Sequence, residues 1–133
     1  MGKLVLDASK ENLYKINELI ESELEDFPPK VVMQLELIAE EIYVNIVDYA
    51  YKDKPGQAVI TGELSDGVYT LTFEDTGAPF NPLLKEDPDI NASAKDRQIG
   101  GLGIFLTKKL MDDVKYEYKD GKNILTVFKN TVK

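Results

Sequence analysis

The chain has 133 residues, 43% of them hydrophobic, with 16 basic and 24 acidic side chains and a net charge of −8. That length fits one domain, 1–133, with a real core, and wholesale disorder does not fit the hydrophobic share. With no Cys and no His there is no disulfide frame, thiol nucleophile, Ser-His-Asp triad or phospho-accepting histidine, and the acidic balance argues against direct nucleic-acid binding.

The first residues, Met-Gly-Lys-Leu-Val-Leu-Asp, are too few and too charged for a signal peptide. No apolar run approaches the roughly 20 residues that cross a bilayer. The expectation is a cytoplasmic domain with no membrane contact. Leu4–Leu6 reads as a short opening strand, and Ser9 as an N-cap with Asn12 where a capping box would place Glu. Leu13, Ile16, Ile20, Leu24 and Phe27 then recur at helical steps until Pro28-Pro29.

A second helix is expected from about Lys30 to Tyr51, with Pro29 at its opening. Val32, Leu35, Ala39, Ile42, Tyr43, Ile46 and Ala50 share its apolar side; Gln34, Leu37, Glu41, Asn45, Asp48 and Lys52 form the opposite stripe. Strand-like runs Ala58–Leu64 and Val68–Glu74 flank Ser65-Asp66-Gly67, a hairpin signal. No period is visible from Thr76 to Ile99, and so long a stretch in a compact domain is usually functional. Gly100-Gly101-Leu102-Gly103 opens a helical run, Ile104–Met111, and two strands, about Val114–Tyr118 and Ile124–Phe128, flank Asp120-Gly121. Helices grouped against antiparallel hairpins imply an α+β, two-layer sandwich.

Three groups of residues could carry chemistry. Glu41 and Asn45 stand one turn apart on one helix face; a carboxylate can act as a base and an amide oxygen suits Mg²⁺, while the plain alternative is a solvated polar face. Asp75-Thr76-Gly77 follows a strand. Its carboxylate could accept from an exocyclic amine such as that of adenine, with Gly77 leaving room for a flat base; the alternative is an ordinary strand end. The glycines at 100, 101 and 103 could turn backbone N–H groups toward phosphate at a helix start, or serve only as a hinge. Neither a dinucleotide fingerprint nor a P-loop is present. Asp87, Asp89 and Asn91 are spaced like a calcium loop, but Ala92 and Gln98 stand where that loop needs Gly and Glu.

Taken in order, these groups resemble a known family. Glu41-Ile-Tyr-Val-Asn45 is similar to the N box of the gyrase/histidine-kinase (GHKL) ATPase superfamily. Asp75-Thr-Gly77-Ala-Pro-Phe80 is similar to its first glycine box and Gly100-Gly-Leu-Gly103 to its second, with 76–99 between them as an ATP lid. Within that superfamily, Asp75-Thr-Gly-Ala-Pro-Phe-Asn-Pro82, Gly100-Gly-Leu-Gly-Ile-Phe-Leu and Lys109-Leu-Met-Asp-Asp113 most resemble the bacterial anti-sigma factor/serine-protein kinase branch. The resemblance implies a Bergerat-type, histidine-kinase-like ATPase fold, with helices on one face of a mixed, mostly antiparallel sheet. It implies ATP and Mg²⁺ as ligands. Asn45 would hold Mg²⁺, Glu41 would be the base, Asp75 and Gly77 would receive adenine, and Thr126 would support it. Gly101, Leu102 and Gly103 would bind phosphate, and Arg97 would approach the γ-phosphate.

In function it implies an ATP-dependent serine/threonine-protein kinase that phosphorylates an anti-anti-sigma (STAS-type) protein, sequesters a sigma factor and forms a homodimer. Two departures stand out: Tyr49 replaces a His common in the family, and Pro79-Phe80 replaces the second glycine of the first box. A non-catalytic ATP-dependent binding module, or a detached ATPase module of a sensor system, remains the alternative.

Overall fold

The computed structural model describes residues 2–51, 55–78 and 101–131, and only the backbone of 49–50 and 101–105. Five strands form one sheet in the order β1-β2-β3-β5-β4: β1 Gly2–Asp7, β2 Gln57–Ser65, β3 Val68–Asp75, β4 Asp113–Lys119 and β5 Lys122–Asn130. Among the described residues the four pairings are antiparallel, in keeping with the expected mostly antiparallel sheet. Helices α1 Leu13–Glu23, α2 Pro29–Asn45 and α3 Gly101–Leu110 complete the described elements of regular length.

The sheet follows from period-two patterning. Along β3, Tyr69, Leu71, Phe73 and Asp75 are buried while Val68, Thr70, Thr72 and Glu74 are not. On β5 the buried set is Asn123, Leu125 and Val127. These faces meet Ile16, Ile20 and Leu24 of α1 and its end, and Leu35, Ile38, Ala39, Ile42 and Tyr43 of α2, in one core. Both hairpins turn through paired left-handed residues, Asp66-Gly67 (φ 52° and 80°) and Asp120-Gly121 (φ 54° and 77°), the turn whose twist matches antiparallel strands.

The helices differ from the periodicity at their ends. Ser9 caps, but what it caps is a 3₁₀ turn, Lys10–Asn12, through a bond from the Glu11 amide at 3.3 Å. The Tyr43 hydroxyl anchors that turn: it accepts from the Ser9 amide (3.2 Å) and shares its proton between Ser9 O (2.7 Å) and Asp7 O (3.0 Å). Helix α2 opens with Pro29 in its first turn, where a missing N–H costs nothing. After Asn45 it widens into one π-helical turn, Ile46–Ala50. Such wide turns are rare and concentrate at functional sites.

Where α1 meets α2, Glu36 Oε2 is shut off from solvent and has no hydrogen-bond partner among the described residues while the carboxyl is ionised. The side chain it meets is another carboxyl, Glu21. Burial, then the Glu21 hydrogen bond and the Glu21 charge, push the Glu36 carboxyl up from 4.5 to about 7. The folded state therefore keeps a proton that the unfolded chain has released. Its contribution is complete below about pH 4.5 and is lost as pH rises through about 7. Glu36→Gln retains an N–H toward Glu21 without the charge. It should raise the melting temperature by about 3 °C at pH 8 and change it little at pH 4.5; thermal unfolding at the two pH values checks this, and an equal effect at both would contradict it.

Candidate functional site

The site is assembled where α2 ends and β3 ends. Asn45 is the last residue of α2, and Glu41 lies one turn earlier on the same face, both partly exposed. Asn45 Oδ1 is nevertheless buried and has no partner among the described residues. Asn17 Oδ1 is likewise unpartnered, so it is the position of Asn45 at the helix end beside Glu41 that singles it out, and a hard cation is a chemistry its oxygen suits. Among the described residues no cluster of three acidic side chains could cage a metal. The single amide oxygen of Asn45 would fit a hard cation such as Mg²⁺ as one ligand, not as a cage of protein carboxylates.

At the other side, Asp75 terminates the buried face of β3 and is 8% exposed. Its Oδ1 accepts from the Gly77 amide at 2.9 Å and from Asn123 Nδ2 at 3.0 Å. A buried carboxylate needs such donors. Oδ2 has no partner among the described residues, so the side chain can accept one more hydrogen bond.

Tyr51 joins the two halves. One residue past the π turn, its hydroxyl accepts from the Thr76 amide (2.9 Å), meets Thr76 Oγ1 (3.0 Å) and donates to Gln57 O (2.5 Å). The segment that follows Asn45 is thereby pinned beside the turn that follows Asp75. Gly56 makes room for this latch: a Cβ there would overlap the Tyr51 ring. Outside the site proper, Lys10 pairs with Asp48 at 3.1 Å on the polar stripe of the π turn.

Gly101, Leu102 and Gly103 form the first turn of α3, whose leading N–H groups lack intrahelical acceptors. Residues 79–100, which include Arg97, Gly100, Asp87, Asp89, Asn91 and most of the expected lid (76–99), lie outside the described residues, as do the side chains of Tyr49 and Leu102.

Thr126 requires a correction. It pairs with Thr72 on β3 and alternates with the buried Leu125 and Val127, so it stands on the sheet face opposite the helices and away from Asp75. The β5 residue in register with Asp75 is Asn123, 7% exposed. Besides Asp75, its Nδ2 reaches Gly77 O (3.3 Å) and Ala78 O (3.0 Å), and the Tyr116 hydroxyl donates to its Oδ1. Strand parity could have found it: Asn123 is the polar member of the 123, 125, 127 row.

A family model for the histidine kinase-like ATPase domain matches residues 6–129. The chain belongs to that family. Among curated relatives, the serine-protein kinase RsbW of Listeria monocytogenes is 27% identical over 104 residues, 74% of this chain and 66% of the relative. The serine/threonine-protein kinase BtrW of Bordetella bronchiseptica is 32% identical over 94 residues, 70% of this chain and 66% of the relative. The match thus spans slightly less than two thirds of those kinases' lengths. Among solved structures, the catalytic domain of histidine kinase ThkA superposes with a TM-score of 0.58 at 14% identity, covering 98% of both chains. The histidine kinase domain of an Erythrobacter litoralis blue-light activated kinase gives 0.59 at 15% identity, covering 92% of this chain and 60% of that one. These two likenesses bear on the fold, which is a histidine-kinase-like α+β sandwich. No helix among the described residues is long and apolar enough to cross a membrane.

Asp75→Asn keeps the shape of the carboxylate but brings an N–H to face an incoming amine. It should weaken adenine-nucleotide binding by more than tenfold, since hydrogen bonds to charged groups carry about 1.5–3 kcal/mol. Asp87→Asn should change it less than twofold. Calorimetric titration with ATP and Mg²⁺ compares the two, and equal losses would remove Asp75 from the base-binding role.

Proposed function

We propose that this chain binds ATP with Mg²⁺ and transfers the γ-phosphoryl group to a serine or threonine hydroxyl of a protein partner. The observation that carries the reading is the orphaned, buried Oδ1 of Asn45, set one helical turn after Glu41 and latched to the turn that follows Asp75. Asp75 would accept from the adenine amino group, with Gly77 leaving the backbone open to the base. The amides at the start of α3, at 101–103, would take phosphate oxygens, and Arg97 would add a charge toward the γ-phosphate. Asn45 would hold Mg²⁺, which when bound would supply positive charge to offset the charge that builds on the phosphates. Glu41 would accept the proton of the attacking hydroxyl. Positioning and charge neutralisation supply most of what phosphoryl transfer needs.

The polyanion puzzle posed by a net charge of −8 is resolved in this reading by backbone amides and one metal ion in place of a basic surface. The similar kinases are named as serine or serine/threonine-protein kinases, and the resemblance of the 75–82 and 100–106 motifs to the anti-sigma branch leads us to propose an anti-anti-sigma protein of the STAS type as the acceptor. Once phosphorylated, that partner would leave this chain, as a homodimer in the cytoplasm, to sequester a sigma factor; unphosphorylated, the partner would free the sigma factor. In the alternative, nucleotide binding alone would drive capture of the partner, and no phosphate would move.

Incubation with labelled ATP, Mg²⁺ and a STAS-type acceptor separates these readings. Wild type should label the acceptor, and Glu41→Ala should lower the rate by at least a hundredfold while retaining ATP affinity within about threefold. Binding without transfer by wild type would establish the alternative. Full transfer by Glu41→Ala would remove the base from the scheme.

A further inference from the structure

The geometry points to Asn123 as a positioning and specificity-determining residue whose amide, oriented by Tyr116, fixes Asp75 as an acceptor for amino-purines over oxo-purines. The inference rests on the adenine-reading role of Asp75 and adds to it two residues of the β4–β5 hairpin.

The orientation of the amide is settled by its surroundings. Nδ2 faces three oxygens: Asp75 Oδ1 at 3.0 Å, Ala78 O at 3.0 Å and Gly77 O at 3.3 Å. Oδ1 faces a donor, the Tyr116 hydroxyl. The opposite orientation would set a carbonyl oxygen against three acceptors. Tyr116 therefore holds the amide the right way round from β4, an edge strand of the sheet.

Two consequences follow for a bound base. Asp75 Oδ1 is taken up by two N–H groups, from Gly77 and Asn123, so the carboxylate cannot rotate freely. Its other oxygen then presents only lone pairs, which an exocyclic amine satisfies and a ring carbonyl opposes. The same Nδ2 also straps Gly77 and Ala78 to β5, holding closed the turn on which the base would rest. Without this strap the carboxylate could turn or take a bridging water, and it would then tolerate either kind of purine.

Three variants test this by calorimetric titration with ATP–Mg²⁺ and GTP–Mg²⁺, each variant's fold being checked by circular dichroism. Wild type should prefer ATP. Asn123→Ala should lose about tenfold or more in ATP affinity and less for GTP, so that the preference narrows. Asn123→Asp is isosteric but replaces the N–H groups with oxygen. It should lose more than the alanine variant at pH 8 and regain affinity relative to wild type at pH 5, where one of two adjacent carboxyls holds a proton and can donate. The titratable groups set against that position are Asp75 from β3 and, from β4, Tyr116 and the register partner of position 123, Tyr118. Tyr116→Phe removes one oxygen atom and should cost about threefold in ATP affinity with a narrowed preference; it decides the matter if the Asn123 variants do not fold.

Wild-type binding of ATP with unchanged affinity and ATP/GTP ratio in Tyr116→Phe and Asn123→Asp would overturn this inference and leave the nucleotide reading intact. Absence of ATP binding by wild type would overturn both.

Discussion

A carboxylate ends the buried face of β3. Tyr69, Leu71 and Phe73 precede it on that face, and each is almost fully enclosed. Continuing that row with Asp75 is unfavourable unless donors surround the charge. The fold provides two at Oδ1, the Gly77 amide and the Asn123 side chain, and leaves an acceptor over. Much of the neighbouring architecture can be traced to that need: the sharp turn after β3, the polar residue in register on β5, and the phenol of Tyr116 behind it.

The second half of the site is placed by α2. Its buried side, from Leu35 to Tyr43, belongs to the core, which leaves Glu41 and Asn45 to face outward at its end. The widened turn after Asn45 then delivers Tyr51 to the Asp75–Thr76 turn. One hydroxyl connects a candidate metal ligand to a candidate base-reading carboxylate, although 30 positions of sequence separate Asn45 from Asp75. The α1–α2 pairing that supports this helix contains the Glu21–Glu36 carboxyl pair, so the scaffold beneath the site is most stable where that pair shares a proton.

Strands and hairpins were legible in the sequence because β-branched and aromatic residues alternate with polar ones and because both turns are Asp-Gly, which accepts left-handed backbone. The helix cores were legible from three- and four-residue spacing. Their ends were not. Ser9 is a good cap, but capping chemistry does not distinguish a 3₁₀ turn from an α-helix, and α1 itself stops at Glu23, before the last apolar residues of its row. The apolar pairs Ile42–Tyr43 and Ile46–Val47 keep the helix buried past Asn45 without revealing that the next turn is wider. At the site, Asp75 and the Glu41–Asn45 pair were visible as residue types at a strand end and on one helix face. The resemblance points to Thr126, yet a one-residue step along a strand moves a side chain to the other face. Parity selects Asn123. The Tyr51 latch could not be read from spacing, because it depends on how a π turn aims the residue after it.

The central claim is that Asn45 supplies an oxygen to Mg²⁺ carried by a bound adenine nucleotide. Thermal unfolding of wild type and Asn45→Ala, with ATP at about a hundredfold excess over its dissociation constant and with either Mg²⁺ or a chelator present, tests it most directly. The account predicts that ATP with Mg²⁺ stabilises wild type by about 2.7 kcal/mol, that the chelator removes most of this gain, and that Asn45→Ala shows no difference between the two conditions. A wild-type protein that melts at the same temperature with and without nucleotide, or a variant that keeps the full Mg²⁺ increment, would contradict it.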